Sequence, residues 1–209
     1  MNETASERQR QELAAHYAGL AECRRCADAG NFIASTPICS GSAGAVFMTV
    51  GQAPGRHEAE VTHRPFSGPA GRRLFRWLAQ AGFDETNFRA TQAMTAITRC
   101  YPGRHPAGRG DRLPSRVEQG LCAPWLEREL AIINPRVVIP IGGLAVTRFL
   151  DDARTMTEVI GNRYERDGRV IVPLPHPSGA SQWFNVPENK DRLADALEIL
   201  GDLRRKLLG

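Results

Sequence analysis

The sequence predicts an α/β fold: a single domain over residues 1–209, built as a three-layer α/β/α sandwich around a central four-stranded parallel sheet. Three observations carry this. Four short apolar runs end in Gly, Pro or Thr, as strands buried on both faces do. Helical patterns with one apolar face fill the intervals between them. Strand and helix alternate along the chain, which implies right-handed βαβ units.

Residues 1–22 read as an N-terminal helix, "MNETASERQRQELAAHYAGL", polar and without the apolar core of a signal peptide. The first strand is "AGAVFMTVG", about 44–52, followed by the helix "AGRRLFRWLAQAGF" with Leu74, Trp77, Leu78 and Ala81 on one face. The second strand is "FRATQAMTAI", 88–97. Then comes the helix "APWLERELAIIN", whose Trp125, Leu126, Leu130 and Ile133 share a face and whose Pro124 sits near its start. "PRVVIPIGG", 135–143, is the third strand, "GLAVTRFLDDA" the next helix, "RVIVPLP", 169–175, the fourth strand, and "NKDRLADALEILGDLRRKLLG" the closing helix. The irregular stretch "CYPGRHPAGRGDRLPS" opens the interval 100–122, an Arg/Gly/Pro-rich loop long enough to imply a functional role.

Composition bounds the classes. A hydrophobic fraction of 42% and a charged fraction of 24% are those of an ordinary folded domain. No run is long and apolar enough for a membrane span, so no membrane partner is expected and the expected address is the cytoplasm. Lys plus Arg number 27 against 23 acidic residues, for a net charge of +4 and a pI near 9.0. Most of these cations are Arg, suited to bidentate phosphate contacts. Such a balance permits a nucleic-acid partner without demanding one.

Open parallel sheets bind ligands beyond the carboxyl ends of their strands. "GQAPG" follows the first strand, "TAITRC" closes the second and "HPSGAS" follows the fourth, so polar, turn-rich segments gather at one rim. Gly51 to Gly55 then form one wall of a pocket. The five cysteines, with no secretory signal, do not suggest a disulfide framework. Cys23 and Cys26 form a C-x2-C pair with two Arg, Arg24 and Arg25, between them, and Cys100 and Cys122 could complete a four-thiolate site. Spacing leaves zinc and [4Fe–4S] both open. Cys39 reads as a structural thiol.

"GQAPGRHEAEVTHRPFSGPAGRRL", "TRCYPG…LCAPWL", "VVIPIGGLA" and "PLPHPSG" together resemble the uracil-DNA glycosylase superfamily, in particular its iron–sulfur branch, family 4. The resemblance runs from about Cys23 past the HPS segment. It implies DNA repair by release of uracil from single- or double-stranded DNA, by a monomer. It also implies a structural [4Fe–4S] cluster on Cys23, Cys26, Cys100 and Cys122. Phe66 would stack on the everted base, within a substrate site formed by Gly51, Ala53, Pro54, Thr95 and Ser178. His176 would donate to the base O2 as negative charge develops there, a contact worth about 100- to 1000-fold in rate. The Pro177–Gly179 turn and Arg104 and Arg109 of the long loop would meet DNA phosphates, and Gln182, Trp183 and Phe184 would wedge into the gap left by the base.

The motifs also depart from the family. Ala53 stands where the first family has Asp, and Gln52 where the iron–sulfur branch has Glu. An amide orients water but is no carboxylate base. Gln52 is therefore expected to position the water, with Glu58 or Glu60 supplying negative charge and His57 beside them. Ala96 stands where the family reads uracil with Asn, leaving Thr95 and Thr98 as polar neighbours. Broader specificity for hypoxanthine or xanthine is one alternative; others are a damaged-DNA-binding protein with little turnover, covalent capture of the sugar by His105, and an α/β domain acting on a free nucleoside. The pocket motifs contain no Lys, so no Schiff-base lyase step is expected.

Overall fold

The computed structural model describes residues 3–108, 110–150, 155–179 and 181–209. In chain order the elements are α1 (Glu3–Ala21), α2 (Arg25–Asp28), β1 (Phe47–Gly51), a π-helical turn (Glu58–Thr62), α3 (Pro69–Gln80), α4 (Glu85–Thr91), β2 (Ala93–Ala96) and α5 (Arg116–Ile133). There follow β3 (Val137–Pro140), α6 (Gly143–Leu150), α7 (Met156–Val159), β4 (Tyr164–Arg166), β5 (Arg169–Ile171), a 3-10 turn (Gln182–Asn185) and α8 (Glu188–Leu208). One sheet runs β2-β1-β3-β5-β4. The four expected strands are present and mutually parallel.

The sheet has a fifth strand, correcting the expected count. β4 pairs antiparallel with β5 at the edge, through a two-residue turn at Asp167 (φ +50°) and Gly168 (φ +72°). Positive φ at both turn residues is the hairpin geometry that favours Asp-Gly. No alternating apolar pattern announces β4, because Glu165 and Arg166 face solvent.

Two other boundaries move. The segment 88–97 is strand only from Ala93; Phe88 to Thr91 belong to α4, whose first turn is capped by the Asp84 carboxylate accepting from Asn87 N at 2.8 Å. α5 begins at Arg116 rather than near Pro124. Ser115 and Glu118 form a capping box there, so the irregular loop ends at Ser115 and Cys122 lies on the helix. Pro124 is inside α5, leaving the Gly120 carbonyl without its helical N–H.

The core lies on both sides of β1, β3 and β2. Phe47, Met48 and Val50 of β1 and Val137 to Ile139 of β3 are wholly buried. Helix α3 opens with Pro69 at its first position and turns Leu74, Phe75, Trp77 and Leu78 inward. Each such side chain contributes about 1.5–3 kcal/mol by leaving water. Trp183 and Phe184 are half-buried and pack against this core, the Phe184 ring centroid 5.6 Å from that of Trp77. No described helix is long and apolar enough to cross a membrane.

A charged network is buried beneath the sheet end. Arg99 (1% exposed) pairs with Glu129 (0%) at 2.5 Å, and Glu129 also accepts from Tyr17 Oη at 2.7 Å and Thr95 Oγ1 at 2.9 Å. Arg99 also donates to the Ala96 carbonyl.

Candidate active site

The carboxyl ends of β1, β2, β3 and β5 meet beneath one cleft of about 1340 Å³. It holds the sequence-expected Gly51, Gln52, Ala53, Pro54, Glu58 and Phe66, together with Thr95, His176, Pro177, Ser178 and Gly179. Backbone hydrogen bonds knit the loops beyond the sheet: Ile97 N donates to Gly51 O (2.9 Å), Thr98 N to Gln52 O (3.2 Å) and Gly142 N to Leu174 O (2.9 Å).

Phe66 adopts φ +49°, a left-handed conformation rarely seen for a bulky side chain. This lays its ring on Gly51: a Cβ there would stand 2.8 Å from Phe66 Cζ, so β1 must end in glycine. Two charged groups brace the Pro65–Gly68 segment. Glu58 Oε1 accepts from Ser67 N (3.0 Å) and Gly68 N (2.9 Å). Arg89 of α4 donates to Pro65 O (2.9 Å) and Phe66 O (2.7 Å).

Glu58 is thus partly a scaffold residue. Its other oxygen, Oε2, faces Gly55, 2.9 Å from where a Cβ would stand, and Asp111 Oδ2 lies 3.3 Å from the same point. Asp111 comes from the long loop and accepts from Tyr101 Oη at 2.7 Å through Oδ1. Burial and this bond push the Tyr101 phenol up to about 12. Sequence reasoning missed Asp111, since only the fold of the loop carries it back to "GQAPG". Glu60 is exposed and ion-paired with Arg56 at 3.7 Å.

His176 and Gln52 flank Gly142, whose φ of +83° and tight surroundings admit no side chain: a Cβ would meet His176 Cδ2 at 3.1 Å and Gln52 Cδ at 3.4 Å. Burial pulls the His176 pKa below its usual value, which keeps the imidazole neutral. Its Nδ1 accepts from Ser178 N at 3.3 Å, which fixes the proton on Nε2. Arg73 steadies the same turn by donating to Ser178 O at 3.1 Å.

Not every expected residue lies here. Ala96 lines the cleft with its carbonyl taken by Arg99, and the Thr95 hydroxyl donates to Glu129, so its lone pairs are what it offers a ligand. Arg104 and His105 are exposed and outside the cleft lining, with His105 Nδ1 accepting from Ala107 N at 3.2 Å. Gln182 is exposed and also outside it. Arg109 falls outside the described residues. The cations that do line the cleft are Arg56, Arg72, Arg73 and Arg76 near α3, with Arg112. The 72/76 spacing on one helix face was the available signal.

Cys23, Cys26, Cys100 and Cys122 line a second cavity of about 320 Å³. Burial, then the neighbouring thiols, push Cys26 up to about 11 and Cys100 up to about 12, and burial raises Cys122. Trp125 Nε1 donates to Cys23 Sγ at 3.2 Å, and Arg25 and Arg99 line the cavity. Among the described residues no three or more His, Cys, Asp or Glu converge closely enough to hold a metal ion. Glu118 lines this cavity while its partner Arg112 (2.5 Å) lines the cleft. Arg112 first, and the Ser115 cap, hold the Glu118 carboxyl below its usual range despite burial. Cys39 is half-buried elsewhere, its thiol pushed up to about 12.

The class of protein is therefore an open α/β sheet whose carboxyl rim carries an aromatic ring, Phe66, and a neutral imidazole, His176, in one cleft. The family model described as the uracil DNA glycosylase superfamily matches residues 40–201, and the chain belongs to that superfamily. Within it the likeness is to the type-4 branch. A type-4 uracil-DNA glycosylase of Thermotoga maritima is 32% identical over 131 residues, 62% of this chain and 62% of that protein. One of Pyrobaculum aerophilum is 33% identical over 123 residues, 59% of this chain and 54% of that protein. One of Archaeoglobus fulgidus is 29% identical over 171 residues, 78% and 79% of the two chains. The chain thus spans less than two thirds of the first two relatives.

Proposed function

We propose that the protein is a DNA glycosylase that everts uracil from DNA and hydrolyses its N-glycosidic bond, leaving an abasic site. The observation that carries this is the shared cleft of Phe66 and His176. Eversion costs a few kcal/mol, offset by stacking on Phe66 and by phosphate contacts of Arg72 and Arg76 at the rim. As the C1′–N1 bond breaks, its electron pair passes to the base and charge gathers on O2. The Nε2–H of neutral His176 donates to that oxygen, a contact stronger in the transition state than in the ground state.

Water supplies the oxygen that bonds to C1′. The Gln52 amide orients it, and its proton passes to a carboxylate, Glu58 Oε2 or Asp111 Oδ2, which meet beside Gly55. Among the described residues no Lys lines the cleft, which supports a monofunctional enzyme.

Cys23, Cys26, Cys100 and Cys122 would hold a [4Fe–4S] cluster, which supplies a crosslink between α2, the chain after β2 and α5. A single zinc would need all four sulfurs about 2.3 Å from one point. The four thiols around one cavity of about 320 Å³, together with the likeness to type-4 relatives, favour a cluster.

With Ala96 in place of an amide, recognition rests on backbone groups and Thr95, a less selective set than a donor–acceptor pair. Hypoxanthine or xanthine release is the accompanying expectation, and binding with little turnover is the second reading that Ala53 and Ala96 favour. Matched oligonucleotides carrying uracil, hypoxanthine or xanthine decide this. Release of uracil supports the proposal; tight lesion binding without release of any base replaces it with the second reading.

A further inference from the structure

The Arg89 side chain does not line the cleft, yet it touches the residue on which a base would stack. Its side chain is 13% exposed and its guanidinium is fully engaged: Nη1 and Nη2 hold the Pro65 and Phe66 carbonyls at 2.9 and 2.7 Å. Nε pairs with Glu85 at 2.8 Å, and the guanidinium carbon sits 4.4 Å from the Phe75 ring centroid. From the other side Glu58 Oε1 takes the N–H groups of Ser67 and Gly68. One cation thus holds two successive carbonyls and one anion the next two amides. Between them sits Phe66 at φ +49°, its ring on Gly51. A left-handed Phe persists only where its surroundings over-determine it.

We infer that Arg89 is a positioning residue for the base-stacking platform: its fork fixes the Phe66 peptide in the one conformation that lays the ring across the end of β1. The inference rests on the proposed stacking role of Phe66 and adds a residue on another element that acts through it. A planar fork does this where an ammonium cannot, because two carbonyls must be held at a fixed angle. Arg89→Lys keeps charge and stem but loses the second contact.

The test is a double-mutant cycle on single-turnover uracil release at saturating DNA, with wild type, Arg89→Met, Phe66→Leu and the double variant. Arg89→Met is expected to slow release by about 10- to 100-fold, the scale of a misplaced reacting group. Affinity for undamaged DNA should hold within about twofold, as the phosphate contacts lie elsewhere. In the Phe66→Leu background the same change should cost almost nothing further, because the ring it positions is gone. Arg89→Lys should fall between, and it carries the cycle if Arg89→Met does not fold. An active wild type whose Arg89 and Phe66 losses multiply independently overturns this inference alone. A folded wild type that releases no uracil removes the glycosylase reading and this inference with it.

Discussion

The edge of the Phe66 ring occupies the space in which a side chain on Gly51 would stand: Phe66 Cζ lies 2.8 Å from where a Cβ would be. The end of the first strand and the stacking aromatic are therefore one unit. Gly51→Ala should tilt the ring while leaving the extended strand backbone intact. The expected loss in uracil release is about 10- to 100-fold. Single-turnover rates beside a thermal melt check it: a large rate loss with a near-native melting temperature is the expected pair.

Burial keeps His176 neutral, which has a consequence for acid stability. Its folded pKa lies below the unfolded value of about 6.5. The unfolded chain therefore takes up more protons once the pH drops below that value. The His176 contribution is intact above about pH 6.5 and lost as pH falls toward the folded pKa. His176→Gln removes this titration. Between pH 7.5 and 5.5 the wild type should lose more stability than His176→Gln, measured by urea unfolding at each pH; equal losses would contradict the assignment.

Much of this site was legible, and the reasons differ by residue. Phe66, His176 and the glycine-rich turn sit in short ordered motifs at strand ends, where the parallel-sheet rule places ligands. The Asp167–Gly168 hairpin and the Ser115–Glu118 capping box are also present in the sequence, as D-G and S-x-x-E, but the missing apolar alternation in β4 and Pro124 inside α5 mask them. Phe88 reads as strand by residue type and is helical because Asp84 caps the turn before it. Asp111 and Arg89 carry no local signal at all. Each matters only through a contact made across the fold, Asp111 at Gly55 and Arg89 at the Phe66 carbonyl.

The Arg99–Glu129 pair is fully enclosed, so removing one partner leaves a buried charge alone. Glu129→Gln should destabilise the fold by about 3–5 kcal/mol. Because Thr95 and Tyr17 lose the same acceptor, the effect should exceed that of Tyr17→Phe or Thr95→Val alone. Guanidinium unfolding of the three proteins checks the order.

If the four-thiol cavity holds an iron–sulfur cluster, protein purified without oxygen should carry about four iron atoms per chain and a broad visible absorption. Cys100→Ser should lose both. Loss of a crosslink joining distant segments should cost about 2–4 kcal/mol, the scale of closing such loops. Iron analysis and melting curves before and after chelation read this out, and a zinc-replete, colourless protein would contradict it.

The most direct measurement is alkali-labile cleavage of a uracil-bearing oligonucleotide by the wild type beside His176→Ala. Site-specific strand breaks from the wild type, slowed by about 100- to 1000-fold in the variant, are the expected result. Wild type and His176→Ala cleaving at the same rate, or a folded wild type producing no abasic sites, would contradict the account.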